Sequence, residues 1–469
     1  MTLLAAVGLC CATGAPAMAA TNWTALFNGR NLEGWDTYLG PPPGGGAPLG
    51  LNHDPRKVFT VVNLDGQPAV RISGEIYGAL VTRAVFTNFH LRLEVKWGEQ
   101  RHPPRAALAR DSGILYCSSG PHGAGSGAWM RSVECNIMEK GFGQWWSVAD
   151  AIVEVEGERV GRELEATIPY QREGPGERLI VYRPGRARLT AEPRDGITPA
   201  RDYEKPRGQW NSVEVLFWAG RCIHVVNGQP VMVLTDPRYV EAGRQSPLRS
   251  GALQLQSEGA ECFYRAVELR ALDEIPNEYL ELIPKAQDDE TGFQPLFGRG
   301  ATDGWTQCGP GHFELANGVA TAFGGMGLWW HTNRMFTNFV LRGEWVQEQD
   351  IADSGVFVRF PDPGQDPWVA VRKGHELEIG DPFPADPTWR TGSIYPFKAS
   401  VTANARPYGQ WNEFELVCIG HDYAARINGR MVTTWSNPAH RSAAGYIGLQ
   451  NYNDGKTVRH RRLRLKELP

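Results

Sequence analysis

The sequence lacks an excess of either charge, a long apolar run beyond its first residues, and the paired cysteines of a metal site. Its 48 Lys and Arg nearly balance its 52 Asp and Glu, so it has no basic field of the kind that binds phosphate backbones or anionic lipids. After residue 20, no run reaches the roughly 18 apolar residues of a membrane helix. We therefore expect neither a nucleic-acid partner nor an integral membrane segment.

Metal-site and acyl-transfer motifs are also missing. No CxxC pair and no histidines at zinc spacing accompany the cysteines, and no nucleophile elbow or Ser-His-Asp order is present. The wide separation of the cysteines after residue 20 favours small buried thiols over disulfides, which an oxidising compartment would still allow. These cysteines are Cys117, Cys135, Cys222, Cys262, Cys308 and Cys418.

The first 20 residues have the pattern of a secretory signal. Residues 3–12 are apolar, a helix-breaking Gly and Pro follow, and the Ala-Met-Ala that ends at residue 19 resembles a signal-peptidase site. The pattern departs from the usual one because no Lys or Arg precedes the apolar stretch. It predicts a signal peptide over residues 1–20 and a periplasmic or secreted protein.

Turn residues are abundant, with 54 Gly and 33 Pro in 469 residues. A chain of this length exceeds what one hydrophobic core usually organises, so we expect two domains. In "HLRLEVKW" apolar and polar residues alternate, a period that is typical of a half-buried strand. Asn-Gly pairs at 227–228 and 428–429 stand between β-rich runs and predict type I′ hairpins. The sequence therefore predicts an all-β fold of antiparallel sandwiches.

The same module occurs twice in the chain. "FNGRNLEGW" corresponds to "FGRGATDGW", "FTNFHLRLE" to "FTNFVLRGE" and "DSGILY" to "DSGVFV", and "GQWN", the Asn-Gly pair and a closing "LQ" follow in the same order. The predicted units are a first domain at 21–272, a linker at 273–292 and a more compact second domain at 293–469. Extra residues in the first copy predict a rim loop at 40–50 and an added hairpin at 150–205.

The order of these motifs resembles the 3-keto-disaccharide hydrolase domain family. The resemblance covers residues 22–273 and 293–468 and rests on FNGxxLxGW, SGI or SGV, an acidic strand, GQWN, the hairpin and the closing strand. It implies a concanavalin A-like jelly roll of two antiparallel sheets in each domain. It also implies export and, for some members, cleavage of glycosides or disaccharides whose sugar has first been oxidised at carbon 3.

A ketone at C3 acidifies the proton on C2, which opens an elimination route for breaking the glycosidic bond. That route needs a base near C2, a donor or cation beside the ketone oxygen, and an acid for the leaving oxygen. Residues i and i+2 of a strand share a face, so Glu134 and Asn136 of "RSVECNIMEKG" point together, as do Glu376 and Glu378 of "GHELEIGD". We expect the intervening apolar residues to face the core and the polar set to face the concave surface.

Further candidates come from the neighbouring motifs. An Asp precedes each SG pair, an Arg suits an oxyanion contact, and a Trp suits stacking on a sugar. The first copy is the better candidate for activity because its insertions can build a deeper pocket. The catalytic candidates are Glu134, Glu139, Asp111, Glu376 and Asp381, and the substrate-binding candidates are Trp145, Trp146, Asn136, Glu258, Arg265, Asp353, Arg359 and Glu378.

Each choice has a plainer alternative. Alternating Glu residues are commonly a solvated sheet face, and an Asp before Ser-Gly commonly caps a turn. We expect Trp35 and Trp305 in the cores, His224 at an exposed strand position and His375 in a structural role. The carboxylates could hold calcium, although no EF-hand loop is present. The protein could also be a non-catalytic carbohydrate-binding protein with two lectin-like sandwiches, or the second copy could be a structural partner of the first.

Overall fold

The structure is a computed structural model that describes residues 23–170, 172, 176–241, 243–283, 290–298, 304–349, 352–380, 386–436, 441–452 and 457–468. The predicted signal at 1–20 and the candidate Asp381 lie outside these residues. The helices described are short: α1 (Arg162–Glu165), α2 (Asn277–Leu280), α3 (Trp368–Lys373) and a 3-10 turn at Pro387–Trp389. In the described part, no helix has the length and apolar character needed to cross a membrane.

The first domain consists of two β-sheets. Its strands are β1 (Thr24–Ala25), β2 (Trp35–Leu39), β3 (Gly50–Leu51), β4 (Phe59–Leu64), β5 (Gln67–Ile72), β6 (Gly78–Thr82), β7 (Phe89–Arg101), β8 (Asp111–Ser119), β9 (Arg131–Met138), β10 (Trp145–Trp146), β11 (Ala151–Arg159), β12 (Arg178–Tyr182), β13 (Arg188–Ala191), β14 (Asp195–Thr198), β15 (Asn211–Trp218), β16 (Arg221–Val226), β17 (Gln229–Glu241), β18 (Arg244–Pro247), β19 (Ala252–Ser257) and β20 (Ala260–Ala271). The large sheet has the order β10-β14-β12-β11-β17-β16-β15-β7-β20-β5-β4 with β1, β13 and β18 alongside, and the small sheet has the order β3-β2-β6-β19-β8-β9.

The second domain repeats this plan in a smaller form. Its strands are β21 (Gln294–Pro295), β22 (Trp305–Cys308), β23 (His312–Ala316), β24 (Val319–Phe323), β25 (Gly327–Phe336), β26 (Phe339–Gln347), β27 (Ser354–Phe360), β28 (His375–Ile379), β29 (Ile394–Tyr395), β30 (Asn412–Ile419), β31 (Asp422–Ile427), β32 (Arg430–Ser436), β33 (Gly445–Asn451) and β34 (Val458–Glu467). One sheet has the order β23-β24-β34-β26-β30-β31-β32 with β21 beside β34, and the other has the order β22-β25-β33-β27-β28-β29. The predicted all-β fold of two tandem jelly-roll sandwiches is confirmed.

The cores form where the two sheets of each sandwich face one another. On β7, Leu91, Leu93 and Val95 are buried while Arg92 between them is exposed, as the alternation predicts. Trp35 and Trp305 are both buried in the cores, as expected. Each indole N–H donates to a backbone carbonyl nine residues earlier in the chain at 2.7 Å, so the same anchor recurs in both copies.

The GQWN motif and the Asn-Gly hairpin work together. Asn227 and Gly228 have φ of 50° and 77°, the positive values that a type I′ turn requires. The Asn227 side-chain amide donates to the Asn211 side-chain oxygen at 2.8 Å, and Asn211 is the Asn of GQWN. In the second domain, Asn428 donates to Asn412 at 2.9 Å in the same way. The motif is therefore a clamp on the hairpin turn, and its recurrence is explained by structure.

The predicted insertion at 150–205 is structured and lengthens the large sheet. Strand β11 pairs antiparallel with β12, β13 and β17, and β14 pairs with both β12 and β10. The predicted hairpin is thus present and is part of a four-strand extension. Apolar residues of the insertion pack against Met138 at the end of β9, and other residues of the insertion form one wall of the cavity described below.

The two domains pack tightly against each other. Val417, Ala424 and Met431 of the second domain are buried within the main apolar cluster of the first. Polar contacts surround them, including Asn88 Nδ2 to Asp422 Oδ1 at 2.7 Å and the Trp218 indole N–H to Ser436 Oγ at 3.0 Å. The described part of the predicted linker also packs here, with Ile275, Leu280 and Ile283 buried.

We predict that Asn211→Ala and Asn412→Ala each lower the free energy of unfolding by about 1–3 kcal/mol. Each removes a side-chain oxygen that accepts from the turn amide and from a backbone N–H, that of Lys205 in the first domain and that of Arg406 in the second. Denaturant unfolding followed by fluorescence measures the change. The exposed Gln209 belongs to the same motif, and Gln209→Ala should leave stability within about 0.5 kcal/mol of wild type. Equal stability of all three variants would show that the clamp contributes nothing.

Candidate active site

The acidic strand β9 separates two environments. Val133, Cys135 and Ile137 lie in the core cluster between the sheets, while Glu134 and Asn136 face the other side of the small sheet. There they line a cavity of about 430 Å³ in the first domain. Glu134 is only 3% exposed, so this carboxyl is buried even though it lies on the outer face of a sheet. The predicted division of the strand into an apolar and a polar face is confirmed.

Gly113 of the DSG motif makes room for the buried carboxyl. A Cβ atom at this position would lie 2.7 Å from Glu134 Oε1 and 2.6 Å from Gln256 Oε1, closer than real contacts allow. Gly355 has the same part in the second domain, where a Cβ would lie 1.9 Å from Glu376 Oε1. The glycine of the repeated motif is therefore needed to leave room for the glutamate side chain. It does not form a turn, since it lies within a strand in each copy.

The environment of Glu134 favours its protonated form. Burial raises the pKa of Glu134 well above its usual range, the negative charge of Asp111 raises it further, and hydrogen bonds from Gln256 and the Trp146 backbone oppose this only in part. Asp111 is paired with Arg105, whose Nη2 lies 2.9 Å from Asp111 Oδ2. The cavity thus joins a neutral acid to a carboxylate–guanidinium pair, a division of roles that acid–base catalysis uses.

A network of amides and aromatic rings completes the cavity. Gln144 Oε1 accepts from the Trp146 indole N–H at 3.2 Å and from Asn136 Nδ2 at 3.5 Å, and so connects the two side chains. The rings of Trp146 and Tyr170 meet edge to face with centroids 6.1 Å apart. Tyr170 belongs to the insertion, and its hydroxyl donates to Glu177 Oε2 at 3.1 Å, at the edge of the cavity.

The structure brings five of the predicted residues of the first domain together. All five line the cavity: Asp111, Glu134, Asn136, Trp146 and Glu258. Trp145 requires a correction, because it is fully buried in the core between the sheets and so does not reach the cavity. In the two-residue strand β10, adjacent side chains point to opposite faces, and only one of the two tryptophans can face a ligand.

Glu139 and Arg265 lie elsewhere. Glu139 accepts from the Arg110 backbone N–H at 2.9 Å and from its guanidinium at 2.6 Å; burial raises its pKa, but these contacts outweigh that effect and leave the pKa lowered. Arg265 lies on β20 in the large sheet, paired with Glu94 at 2.6 Å and stacked on Trp210. The predicted oxyanion role of Arg265 is therefore corrected, since it belongs to the opposite sheet from Glu134.

The second domain gathers three carboxyl groups at the equivalent place. Glu376 and Glu378 are buried, and burial raises the pKa of each well above its usual range, with Asp353 contributing to both shifts. Arg359 requires a correction. It is fully buried and donates to the carbonyls of Thr337 and Gly420, and this fixes it inside the domain.

The two histidines discussed in the sequence analysis are both buried. His224, expected on an exposed strand position, is instead inside the first domain, where its ring contacts the Tyr116 hydroxyl at 2.9 Å and the Gly143 carbonyl at 3.0 Å. Burial lowers the pKa of His224 to about 4, so it is neutral at pH 7. His375 contacts the Tyr423 hydroxyl at 3.0 Å and has the expected structural position.

The residues that sequence reasoning missed are Arg105, Gln256 and Tyr170. Arg105 follows two prolines in a stretch without periodicity, and Tyr170 follows a short helix in the first copy's larger insertion, so neither has a counterpart to mark it. Gln256 did carry a signal, as a polar residue on the closing "LQLQ" strand. The cysteines of the described chain are buried and free. Among the described residues, no group of three or more His, Cys, Asp and Glu is arranged to hold a metal ion.

The fold and the cavity define an all-β protein with a buried acidic site on one sheet of a jelly roll. The chain belongs to the family of 3-keto-alpha-glucoside-1,2-lyase-like domains, whose model matches residues 22–270 and 292–466. Both domains thus belong to a family of carbohydrate-active proteins. No curated protein matches the chain significantly.

Three solved structures are each similar to less than half of the chain. One is a candidate glycosyl hydrolase from Parabacteroides distasonis, with 21% identity over 38% of this chain and 99% of that chain, at a TM-score of 0.32. A carbohydrate-binding module from Bacillus subtilis has 10% identity over 35% of this chain and 96% of that chain, at a TM-score of 0.26. A β-glucanase from Bacillus licheniformis has 10% identity over 39% of this chain and 100% of that chain, at a TM-score of 0.27.

We predict that Glu134→Gln makes the stability of the protein less sensitive to pH. The pKa of Glu134 is raised on folding, so its contribution to stability is fully present below the pKa of the unfolded chain and is lost as pH rises toward the folded pKa. The neutral amide avoids that loss. Unfolding temperatures at a series of pH values from 4 to 8 should therefore fall less for the variant than for wild type.

Glu163 is the matched control, because it is an exposed glutamate of the same domain. Glu163→Gln should keep the wild-type pH profile. A Glu134→Gln profile that runs parallel to wild type would contradict a proton held on Glu134 in the folded state.

Proposed function

We propose that the protein is an exported enzyme that cleaves 3-keto-glycosides or 3-keto-disaccharides by abstracting the C2 proton, eliminating the aglycone and adding water. The observation that carries the proposal is the buried Glu134, whose pKa burial raises well above its usual range, beside the Asp111–Arg105 ion pair. The cavity of about 430 Å³ falls in the range of about 300–1,000 Å³ that is usual for small-molecule sites. Export to the periplasm or beyond rests on the N-terminal sequence pattern.

The first half of the reaction is an elimination. Asp111 takes the C2 proton as a carboxylate, and the electron pair moves toward the C3 oxygen to form an enolate. Arg105 places a positive charge beside the developing oxyanion. The enolate then reforms the ketone, a double bond forms between C1 and C2, and the C1–O bond breaks as Glu134 gives its proton to the departing oxygen.

The second half restores the enzyme and the sugar. Water adds its oxygen to C1 and gives a proton to the Glu134 carboxylate, while Asp111 returns its proton to C2. The net change is the addition of one water across the glycosidic bond. Asn136 and Gln256 offer amides to the sugar hydroxyls, and Trp146 with Tyr170 offers an apolar wall for the ring. Because Glu134 acts as an acid, activity should fall as pH rises through its raised pKa.

We expect the protein to release aglycone from a 3-keto-glucoside and not from its unoxidised parent, since only the ketone acidifies C2. Glu134→Gln and Asp111→Asn should each lower kcat by about 10²–10⁴-fold, the usual contribution of a positioned acid or base. The loss of activity in Glu376→Gln measures how much of the turnover comes from the second domain. Chromatographic detection of the aglycone gives the rates.

Equal cleavage of both glucosides, or full activity of Glu134→Gln, would contradict the mechanism. Binding of the sugar without release from either compound would favour the second candidate function, a non-catalytic carbohydrate-binding protein. The Trp146–Tyr170 pair is the observation that suits that alternative, because aromatic rings can bind a sugar ring without taking part in a reaction.

Gly113→Ala tests the geometry separately from the charge. The added methyl group would displace Glu134 or Gln256 while leaving every titratable group in place, so kcat should fall at least about tenfold. A Cβ atom added at Gly161 would have no heavy atom within 4 Å, and the backbone there has φ of −95°, so Gly161→Ala is the matched control and should keep wild-type rates. An unaffected Gly113→Ala enzyme would show that the position of Glu134 does not matter for turnover.

A further inference from the structure

A second and larger cavity, of about 730 Å³, lies between the two domains. The first domain contributes the turn between β15 and β16, part of β17 and β18, and Arg249. The second domain contributes residues of β26, the turn that contains Gly420 and His421, and the end of β34. This interdomain cavity shares no lining residue with the cavity around Glu134. The proposed reaction therefore gives it no role.

The lining of the interdomain cavity is strongly basic. It includes seven Lys and Arg side chains and only three Asp and Glu side chains. One of those acids, Glu415, is shared between two of the arginines, because its oxygens lie 2.9 Å from Arg342 Nη2 and 2.6 Å from Arg426 Nη1. Carboxylates outside the lining pair with two of the arginines, Glu154 with Arg238 and Glu290 with Arg342, so the surplus positive charge lies on the other basic side chains. The chain as a whole has a net charge of −4.

Two arginines carry this surplus charge. Arg221 makes a single hydrogen bond among the described residues, a long one of 3.3 Å to the Ala219 carbonyl, and none of their carboxylates lies within ion-pair distance of it. Arg249 has its nearest carboxylate, that of Asp236, at 3.6 Å. The Nε atom of Arg249 is buried and has no hydrogen-bond partner in the described part.

The backbone keeps space for the Arg249 guanidinium. Gly220 has φ of 77°, and a Cβ at this position would lie 1.4 Å from Arg249 Nη1. A side chain at 220 is thus excluded by both conformation and space. Burial, together with the positive charges of Arg426 and Arg249, lowers the pKa of Arg221 to about 9. Like charges brought together away from water are costly unless an anion joins them.

We propose that the interdomain cavity binds an acidic mono- or disaccharide, one that carries a carboxylate, sulfate or phosphate, with its anionic group held by Arg221 and Arg249. The planar guanidinium offers paired N–H donors that match the oxygens of all three groups. A single inorganic anion would fill only a small part of about 730 Å³, so the remaining volume accommodates sugar rings. The ligand would contact both domains at once.

Isothermal titration of the full chain at about 0.15 M salt tests the proposal. Glucuronate and glucose 6-phosphate are the acidic sugars, glucose is the neutral sugar, and inorganic phosphate is the anion without a sugar. We expect at least one acidic sugar to bind at least about tenfold more tightly than either glucose or phosphate. No binding of the acidic sugars, or equally tight binding of glucose or of phosphate alone, would overturn it.

Variants locate the site. Arg221→Gln should weaken binding of the acidic sugar at least about tenfold, as expected for the loss of a charged hydrogen-bond donor. Should that variant fail to fold, Arg249→Gln removes the other guanidinium of the proposed site and should have the same effect. Arg56→Gln is the control, since the Arg56 side chain is 64% exposed and lies outside the cavity. Wild-type affinity in a folded Arg221 or Arg249 variant would overturn the proposal.

Binding of an acidic sugar at the interdomain cavity does not depend on the proposed reaction. Because the two cavities share no lining residue, Glu134→Gln should retain acidic-sugar binding even if it abolishes cleavage. Loss of acidic-sugar binding in Glu134→Gln, with Arg221→Gln unaffected, would place the anion at the first cavity and overturn the inference.

Discussion

The burial of a carboxyl group on the outer face of a six-stranded sheet is the constraint on which the candidate site depends. Removing Glu134 from water is costly unless the group is neutral and hydrogen-bonded. The structure meets each requirement with a different part of the sequence. Gly113 leaves the space, and Gln256 and the Trp146 backbone supply hydrogen bonds. Burial and then the nearby charge of Asp111 raise the pKa of Glu134 and so favour its protonated form. The insertion then supplies Tyr170, which closes the cavity from the side.

The two copies share the same strand register at the candidate site and differ in the number of carboxyl groups there. Gly113 is opposite Asn136 across β8 and β9, and Gly355 is opposite Glu378 across β27 and β28, so the backbone register is the same. Where the first copy has a neutral amide, the second has another carboxyl group. Neighbouring carboxyls cannot all ionise, and a shared proton is the usual result. The duplicated fold thus presents an acid beside an ion pair in one domain and a group of three acids in the other.

The sequence was informative where a single period governs the structure. The strands and the shared face of Glu134 and Asn136 follow from the alternation of side chains, the repeat from matching motifs, and the Asn-Gly turns from the positive φ angles that type I′ turns require. The same rule failed for His224, because both faces of β16 are covered and alternation no longer separates core from solvent. It could not choose between Trp145 and Trp146, since a two-residue strand has no period to read. Arg105 was missed because tertiary structure alone brings it to Asp111.

The apolar cluster of the first domain continues into the second, and this has a consequence for how the duplication persists. Val417, Ala424 and Met431 of the second copy are buried against apolar residues of the first. Cleavage of the chain at the linker, followed by separation of the two halves, would expose apolar surface that favours aggregation. Each copy therefore protects an apolar surface of the other from water, and the loss of either copy would expose that surface.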